Sequence, residues 1–592
     1  MKFFRHRYYR PLFSILISLC LFLQACSFQG AVSQKGSQPA SETSKAFTTF
    51  TDTIFRESIS SDALSLNYTL AEPENYGVSP HAGGFTPISY DAAKNSAPEA
   101  ENLLATLQQF DKDELTLSQQ ILYDSLTYTL QMDKKSSDFV LFSRSLSPVT
   151  GLQAQLPVLL VEYGFDSRED IDNYFALLES LPEYFNSVLT FMEIQATKNM
   201  LPCRDTIEHI CSQCQTFLDD NGNQILISSF KKRLKTCTFI DSATRKKFLQ
   251  ENKTLVKTCV TPAYTSLADG LRTLTPMCPA DGALSSYENG KAYYEYLFAT
   301  ETGSDTSVTE YYEILNDRLN KSKQTLLAYA KKDPSLFSGL STRTANQVSP
   351  EDRLTSLSKS IAADFPQTSE VNFTVAYVDE SLEDYLSPAF YLTPPLDHFT
   401  ENVIYINNSS RFAGSDLSTT LAHEGYPGHL YQNVYCREQN LPLLSYALNF
   451  SGYTEGWATY AENYSYKYLG YSKDEVGILR NNTIVSLCIY GICDIGIHYY
   501  GWDEKRVLEF LNQNGKYTED TAHSLYTNII DEPGSYLKYT VGYMEFLKLK
   551  EAVRQQMRDT YSEMAFHKFV LSAGPAPFSI LYDYMDAFLE SA

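Results

Sequence analysis

The chain has 592 residues, of which 43% are hydrophobic and 20% are charged, and its formal net charge is −23. This composition is typical of a folded globular protein, and the length allows more than one structural unit. Nucleic acids and anionic lipid surfaces repel so acidic a chain, so we expect no nucleic-acid partner.

The first 25 residues are predicted to be a signal peptide. Basic residues open the chain, and the apolar run over 11–23 is too short for a good transmembrane span. The run ends in Leu-Gln-Ala-Cys26, which resembles a bacterial lipobox, where the cysteine receives lipid and becomes the mature N-terminus. Cys26 is therefore the predicted lipidation site. An ordinary signal peptide and an uncleaved anchor are the alternatives.

Residues 26–45 are rich in Ser, Gln, Gly and Ala, and they predict a flexible tether. The rest of the chain, residues 46–592, is predicted to fold. A lipid-modified Cys26 would hold this domain at the extracytoplasmic face of the bacterial cell membrane, because several acyl chains on one residue give stable attachment.

Six further cysteines lie close together in the sequence: Cys203, Cys211, Cys214, Cys237, Cys259 and Cys278. Outside the cytoplasm, an even and clustered set predicts disulfides, although the sequence does not give their pairing. A zinc knuckle or a redox pair at Cys211 and Cys214 is an alternative, which the absence of a second CxxC disfavours. Cys436, Cys488 and Cys493 are expected to be buried as small apolar residues.

Apolar residues at three- and four-residue steps, clearest over 171–192, predict helices as far as about residue 365. The pattern then changes. Alternating apolar and polar residues over 371–377 predict a half-buried strand, and the prolines at 394–395 predict a turn. A second strand is predicted at 403–405.

A helix is predicted to follow the second strand. Asp416 is part of a candidate N-cap, and residues 417–423 continue as the helix. His423 and Glu424 are adjacent at its end, and His429 follows. A His next to a Glu with a second His nearby resembles the HExxH zinc motif. In that motif the two His bind the metal and the Glu activates the bound water.

The spacing departs from that motif, because the second His stands at +6 and Pro427 occupies +4. On a straight helix, six residues turn about 600°, so His429 would lie roughly 120° from His423. The Pro427-Gly428 pair disfavours a straight helix, and a break there could return His429 to the metal. A Pro-Gly turn with two incidental histidines is the alternative.

A second helix is predicted over 454–462. Glu455 and Glu462 are seven residues apart on it and therefore share a face. This arrangement resembles the gluzincin metallopeptidases, whose third ligand is a Glu on a second helix some tens of residues after the His-Glu helix. The resemblance implies Glu455 as that ligand and Glu462 as a hydrogen-bond partner of a ligand imidazole. Solvated helix glutamates are the alternative.

Several segments together resemble a large bacterial family known as a domain of unknown function and grouped with the gluzincin-type zinc peptidases. Its pattern includes HExxPGH and EGWAxYxE, and the resemblance covers nearly all of residues 46–592. The matching segments are 262–264, 290–294, 423–429, 455–458, 494–498, 533–534, 539–542 and 566–567. Ser535 departs from the pattern, since many members have Gln there.

The resemblance implies a mainly α fold. It would be a large two-lobed helical body with a deep cleft and a small β-sheet next to the metal-site helix. The helical lobe would span about 46–365, and the metal-site half about 366–592.

The resemblance also implies one Zn²⁺, bound by His423, His429 and Glu455, with Glu424 as the general base. Tyr539 is the candidate hydrogen-bond donor to the tetrahedral intermediate, because related zinc peptidases often use a Tyr there. Core packing is the alternative for this Tyr, and Tyr543 lies four residues further on.

His498 is a candidate for substrate contact. Asp494 stands one helical turn before it, where its carboxylate could fix the His498 tautomer. A core histidine with satisfied hydrogen bonds is the alternative for His498.

The predicted activity is zinc-dependent hydrolysis of peptide bonds in extracytoplasmic peptides, with peptides as the partner and a lipid anchor in the membrane. Two alternatives stay open. One is a zinc amidase or esterase acting on cell-wall or small-molecule substrates. The other is a non-catalytic peptide-binding lipoprotein with a structural metal, which the presence of Glu424 disfavours because such a metal needs no base. The sequence leaves exo- or endopeptidase mode open.

Overall fold

The computed structural model describes residues 41–589 except 220–221, 343–347, 370, 379–382, 384–385 and 413–415. The predicted signal peptide, Cys26 and the predicted tether as far as residue 40 lie outside the described residues. The first helix is Glu42–Ile59, whose amide of Ser44 is capped by the Ser41 side chain. This helix therefore begins a few residues before the predicted boundary at 46.

The chain before residue 365 is helical, as the apolar periodicity predicts. Its helices are α1 (Glu42–Ile59), α2 (Ala63–Thr69), α3 (Tyr90–Lys94), α4 (Ala97–Leu107), α5 (Leu117–Ser136), α6 (Leu152–Glu162), α7 (Arg168–Thr197), α8 (Arg204–Asp219), α9 (Gly222–Thr236), α10 (Ser242–Leu255), α11 (Thr261–Leu274), α12 (Gly290–Thr302), α13 (Val308–Lys332), α14 (Ser335–Thr342) and α15 (Pro350–Ser360).

Helix α7 shows how local sequence sets these elements. Ser167 and Asp170 form a capping box that satisfies the first free amides of the helix. From Ile171 onward, the apolar residues of the predicted stripe are buried along one side. The helix is therefore held by its cap at one end and by burial of its apolar face along its length.

Three strands follow, β1 (Asn372–Tyr377), β2 (Ala389–Leu392) and β3 (Glu401–Ile406), in the order β1-β3-β2. Strand β1 runs parallel to β3, and β2 runs antiparallel to it. The two predicted strands correspond to β1 and β3. The short β2 has no alternating pattern and was not predicted.

Helices complete the chain. They are α16 (Ser418–Glu424), α17 (His429–Glu438), α18 (Leu443–Ala447), α19 (Ser451–Ser465), α20 (Lys473–His498), α21 (Glu504–Asn514), α22 (Glu519–Asp531), α23 (Leu537–Met557), α24 (Glu563–Ala573) and α25 (Phe578–Leu589). The fold is therefore mainly α with one small sheet directly before α16, as expected.

The buried apolar side chains form three clusters. One lies among α6–α11, and a second joins α1, α2, α4 and α5 to α18. The largest contains α12, α13, the sheet and most of the helices from α16 onward. Because α12 and α13 share this core with the C-terminal helices, the predicted division near residue 365 does not coincide with a boundary between cores.

Helix α20 is long and apolar enough to cross a membrane by length and composition, and it is the single such helix in the described part of the chain. Most of its apolar window is buried inside the fold. It packs against α13 and contributes to the largest core, as a central helix of a globular protein does.

The predicted disulfides are absent from the described residues, where all six clustered cysteines are free thiols. All but the partly exposed Cys259 are buried, and burial raises the pKa of Cys214 to about 12. The Cys211 thiol points to the carbonyl of Ala268 instead of to another sulfur. These cysteines fill the core as small apolar groups, which is also how Cys436, Cys488 and Cys493 are buried, as expected for those three.

Candidate metal centre

The chain breaks its helix between the two histidines. Helix α16 ends at Glu424, and the chain turns through a cis Tyr426–Pro427 peptide to α17, which begins at His429. The amide of Gly428 donates back to the carbonyl of Ala422 at 2.9 Å. A Cβ at Gly428 would lie 1.8 Å from the carbonyl oxygen of His423, so the turn requires glycine.

Helix α19 holds this turn in place. The indole Nε1 of Trp457, which is fully buried, donates to the carbonyl of Pro427 at 3.0 Å. Trp457 stands two residues after Glu455, so the same helix that fixes the turn also carries the third predicted ligand.

The break brings the three predicted ligands together. One ligand atom from each of His423, His429 and Glu455 lies within 4.8 Å of the other two. Glu455 Oε2 is 3.6 Å from His423 Nε2 and 3.4 Å from His429 Nε2. Among the described residues, this is the single group of three or more His, Cys, Asp or Glu side chains arranged closely enough to hold a metal ion.

These separations fit the donor set of a zinc site. Two ligand atoms at about 2.1 Å from an ion with tetrahedral angles lie about 3.4 Å apart. Two imidazoles and one carboxylate are also the ligands of catalytic zinc sites that keep a fourth position open. The rings of His423 and His429 are nearly perpendicular, at 82°, so both nitrogens can face one point without the rings stacking.

The site is buried, and the two histidines stabilise the negative charge of Glu455. Burial alone would raise the pKa of Glu455, but hydrogen bonds and charge from His423 and His429 hold that pKa well below its ordinary value. On the other side of His423, Oε2 of Glu462 lies 3.5 Å from Nδ1. The His423 ring thus has a carboxylate at each nitrogen, as a metal ligand with an outer partner does.

Glu424 connects the site to the sheet. This side chain is buried, and its Oε2 accepts a hydrogen bond from the backbone amide of Tyr391 at 3.1 Å. Tyr391 belongs to β2, one of the two edge strands of the sheet. The predicted general base is therefore held at a strand edge next to the candidate ligands.

Tyr539 also lies at the cluster, and Tyr543 does not take its place. The Tyr539 ring is 6.5 Å from the His423 ring and is half-buried on α23. Tyr543 is buried, and burial raises its pKa to about 12.

Glycines bring α23 close to α19. A Cβ at Gly456 would lie 2.5 Å from the carbonyl carbon of Gly542, and one at Gly542 would lie 2.2 Å from the carbonyl oxygen of Gly452. These backbones can approach so closely only because no side chain stands between them. The contact sets the distance between Glu455 on one helix and Tyr539 on the other.

The predicted hydrogen bond between Asp494 and His498 is not formed. His498 Nδ1 accepts from the amide of Leu284 at 3.1 Å, and Nε2 lies 3.0 Å from the carbonyl of Ile529. Both ring nitrogens are used by backbone groups, so none is left for substrate. Burial lowers the pKa of His498 to about 3, which agrees with a neutral core histidine.

Asp494 has partners in other elements. Its carboxylate accepts from the hydroxyl of Tyr294 at 2.5 Å and from the amide of Gly534 at 3.1 Å. Burial raises its pKa to about 7. Asp494 therefore anchors the turn before α23, the helix that carries Tyr539, and has no contact with a ligand imidazole among its hydrogen bonds.

Sequence reasoning missed Tyr391, because its contribution is a backbone amide on an unpredicted strand. It also missed a charged set beside the site, which includes Glu301, Glu532 and Lys538. The sequence positions of Glu532 and Lys538 could have revealed this charged set. The two residues lie on either side of the Pro533-Gly534 segment, and both precede Tyr539.

Two solved structures are similar to this fold. A candidate lipoprotein from Colwellia psychrerythraea superposes with a TM-score of 0.81 at 17% identity, covering 93% of this chain and 100% of that one. A candidate lipoprotein of unknown function from Shewanella oneidensis gives a TM-score of 0.64 at 16% identity, covering 92% of this chain and 100% of that one. At these identities the likeness concerns the fold alone.

No curated protein matches the chain. The pattern of one family, described as "Bacterial protein of unknown function (DUF885)", matches residues 74–585 and so takes in the sheet, the turn at Pro427 and every candidate ligand. The chain belongs to this DUF885 family of bacterial proteins.

Proposed function

We propose that the protein is a zinc-dependent hydrolase that cleaves peptide bonds of extracytoplasmic peptides. The observation that carries this proposal is the convergence of His423, His429 and Glu455 within 4.8 Å, beside the buried carboxylate of Glu424. A structural metal would need no acid or base at its side, whereas a hydrolytic metal does.

His423, His429 and Glu455 would hold the ion. When bound there, zinc supplies a Lewis acid that polarises the substrate carbonyl and acidifies water. The Glu424 carboxylate would take a proton from the attacking water and deliver it to the leaving amine nitrogen as the C–N bond breaks. The Tyr539 hydroxyl would donate a hydrogen bond to the oxygen on which negative charge develops.

The edge strand supports a peptide over other amides and esters. Strand β2 pairs with β3 on one side, and on its other side the amide of Tyr391 meets Glu424. An extended peptide can pair with such an edge through its own backbone groups, which a small amide or ester lacks. The scissile bond would then lie beside the base.

We further propose that the domain is tethered outside the cytoplasm by lipid on Cys26. The support is the Leu-Gln-Ala-Cys sequence at the end of the apolar run, together with two proteins of similar fold that are described as candidate lipoproteins. The first described helix begins at Glu42, so the segment predicted to be a tether would connect Cys26 to α1.

Metal analysis and a cleavage assay on two variants test the function. Wild type is expected to bind one zinc and cleave a mixture of peptides. His423→Ala should lose both properties, because one of three ligands is gone. Glu424→Gln should keep zinc and lose activity by about 100-fold or more, because only the base is removed.

Full activity of Glu424→Gln, or zinc binding that survives in His423→Ala, would contradict these roles. A matched panel of esters and non-peptide amides completes the assay. Hydrolysis of that panel without cleavage of any peptide would replace the peptidase proposal by the amidase or esterase alternative.

A further inference from the structure

Helices α9 and α10 concentrate positive charge within an acidic chain. Residues 231–257 contain nine Lys or Arg and two Asp or Glu, a local charge of +7, whereas the whole chain carries −23. The two helices pack against each other, and five residues, 237–241, connect them. We name residues 222–257 the basic hairpin.

The arginines and the lysines of the basic hairpin have different roles. Arg233 donates to the carbonyl of Leu160 at 2.8 Å, and Arg245 donates to the carbonyl of Cys237 at 2.7 Å. The seven lysines are exposed, and none of them forms a hydrogen bond or salt bridge with a described residue. They are Lys231, Lys232, Lys235, Lys246, Lys247, Lys253 and Lys257. The arginines therefore stabilise the fold, while the ammonium groups of the lysines face solvent.

Five of these lysines surround an exposed aromatic ring at the connection between the helices. The five lie within two turns of the connection, and they are Lys231, Lys232, Lys235, Lys246 and Lys247. Phe239 lies in the connection itself, with 42% of its surface exposed. An apolar ring among lysines is typical of surfaces that lie on an anionic bilayer. There the ring enters the boundary between headgroups and acyl chains, and the ammonium groups meet lipid phosphates.

The carboxylates near the connection are fewer than the cations. Asp241 caps the first turn of α10. The others lie at or just before the start of α7, which packs against α10, and they are Asp166, Glu169, Asp170 and Asp172. Asp170 closes the capping box of α7, and Asp172 pairs with Arg168 at 3.8 Å. Against these five carboxylates, the five lysines, Arg168 and the two arginines of the basic hairpin leave an excess of positive charge.

We infer that the basic hairpin contacts the anionic membrane to which the lipid on Cys26 would hold the domain, so that this face turns toward the bilayer. The inference rests on the proposed lipid anchor. A flexible tether of the predicted twenty residues has an end-to-end distance of about 25 Å, so the anchor keeps the domain within reach of a weak surface contact. An anionic bilayer repels the acidic remainder of the chain and attracts the +7 segment.

This contact orients the domain, and the acyl chains hold it. The net charge of the whole chain opposes attachment by charge alone, so the basic hairpin acts only on a domain that is already tethered. The basic hairpin belongs to the core cluster of α6–α11. The helices that carry His423, His429 and Glu455 belong to the largest cluster. Contact with the membrane therefore does not use the elements of the candidate metal centre.

A fluorescence measurement of depth tests the contact. The full chain with Phe239→Trp is purified with its lipid and reconstituted on vesicles of acyl-brominated phosphatidylcholine, alone or with an equal part of phosphatidylglycerol. Bromine quenches an indole that reaches the acyl region, and the signal of the parent chain, with its two tryptophans, is subtracted. Quenching is expected on the phosphatidylglycerol vesicles and not on phosphatidylcholine alone. It should be lost at about 1 M salt, where the screening length is about 3 Å.

Charge variants assign the quenching to the lysines. In the Phe239→Trp chain, quenching should be lost when four lysines of the basic hairpin are replaced together, by Lys231→Gln, Lys235→Gln, Lys246→Gln and Lys247→Gln. The matched control replaces four exposed lysines of other elements, by Lys135→Gln, Lys359→Gln, Lys505→Gln and Lys516→Gln, and should keep the quenching. Both sets are exposed, so the two chains differ in where the charge is removed.

A second control tests position. Tyr377→Trp in the parent chain places an indole at an exposed aromatic position on β1, outside the basic hairpin. It should stay unquenched on both kinds of vesicle, because the proposed orientation brings the connection of the basic hairpin to the bilayer. Equal quenching at 377 and 239 would overturn that orientation.

The outcomes separate this inference from the anchor and from the proposed hydrolase. Quenching at 239 that is absent from both kinds of vesicle, or equal in both, overturns the contact while flotation of the chain with vesicles keeps the anchor. A chain without lipid that does not float removes the anchor, and the orientation with it. Binding to soluble polyphosphate that the four Gln changes abolish, without quenching on vesicles, assigns the surface to an anionic polymer and overturns the membrane contact. Each result is read without metal or cleavage.

Discussion

His423 is the residue with the most constrained surroundings in the site. Its Nε2 lies 3.6 Å from Glu455, and its Nδ1 lies 3.5 Å from Glu462. The two carboxylates come from the same helix, two turns apart, so α19 fixes both the third ligand and the partner of the first. An imidazole held at Nδ1 by a carboxylate presents Nε2 in a defined tautomer and with higher basicity.

Removing the charge of Glu462 should weaken metal binding without removing a ligand. Glu462→Gln keeps the shape of the side chain, and the zinc dissociation constant is expected to rise about 10- to 100-fold. Competition with a chromophoric chelator measures it. Glu509→Gln, at an exposed position on α21, is the matched control and should leave affinity unchanged. Unchanged affinity in Glu462→Gln would mean that the carboxylate does not support His423.

The histidines also show how far residue patterns can predict contacts. The His-Glu pair and the Pro-Gly break indicated convergence at His429, because a proline at +4 cannot continue the helix. The one-turn spacing of Asp494 and His498 predicted a hydrogen bond between these two side chains, and the structure does not contain it. A buried polar group forms hydrogen bonds with whichever partners the tertiary structure brings close to it. For His498 these partners are the backbone groups of Leu284 and Ile529, and for Asp494 they include the backbone amide of Gly534.

At the scale of elements, the contact between α19 and α23 positions the site. The two backbones meet at Gly456 and Gly542, where no Cβ could be accommodated without a shift. Glu455 and Tyr539 stand within one turn of these glycines on their respective helices. A change in this contact would therefore move the ligand and the proposed hydrogen-bond donor relative to each other.

Gly456→Ala should separate the two helices. The new Cβ would meet the Gly542 carbonyl carbon at 2.5 Å, and overpacking against backbone costs about 1–3 kcal/mol of unfolding free energy. Thermal unfolding should show a lower melting temperature, and peptide cleavage should fall as well. Gly339→Ala on α14 is the control. A Cβ there meets nothing within 4 Å, and alanine favours the helix by up to about 1 kcal/mol. Equal melting temperatures for the two variants would refute the role of the contact.

The sheet shows which elements a sequence can reveal. Strand β1 alternates apolar and polar residues, so its period predicted it, and β3 was predicted from its run of β-branched and aromatic residues. Strand β2 has four residues, the first three of them buried, and such a short apolar run carries no period. The strand that supplies the Tyr391 amide to Glu424 was therefore beyond prediction from the pattern, although the other two strands of the sheet were not.

At the scale of the whole molecule, the mainly α fold followed from periodicity and resemblance, but its division into cores did not. Helices α12 and α13 pack with elements much later in the chain: α13 packs against α20, and α12 packs against α23. The six clustered cysteines follow the same logic. Although they are close in sequence, they are distributed over the residue before α8, α8 itself, the segments after α9 and α11, and the π-helical segment between α10 and α11, and the five that are buried fill core volume.

The net charge of −23 disfavours attachment of this protein to a membrane by surface electrostatics. Bacterial and other biological membranes expose anionic lipids, which repel an acidic domain and leave no role for surface electrostatics in attachment. The proposed lipid on Cys26 would then be the sole anchor. Cys26→Ser is therefore expected to move the protein from the membrane fraction to the medium or to the soluble fraction after lysis.

Salt distinguishes this anchor from peripheral binding. Wild type should stay with membranes at both low and high ionic strength and should be released by detergent, because acyl chains are not screened by salt. Immunoblots of the fractions, with incorporation of a labelled fatty acid, measure both properties. Cys20→Ser, inside the predicted signal peptide, is the matched control and should still take up label. Label on Cys26→Ser, or membrane attachment that persists without it, would show that a different segment holds the protein.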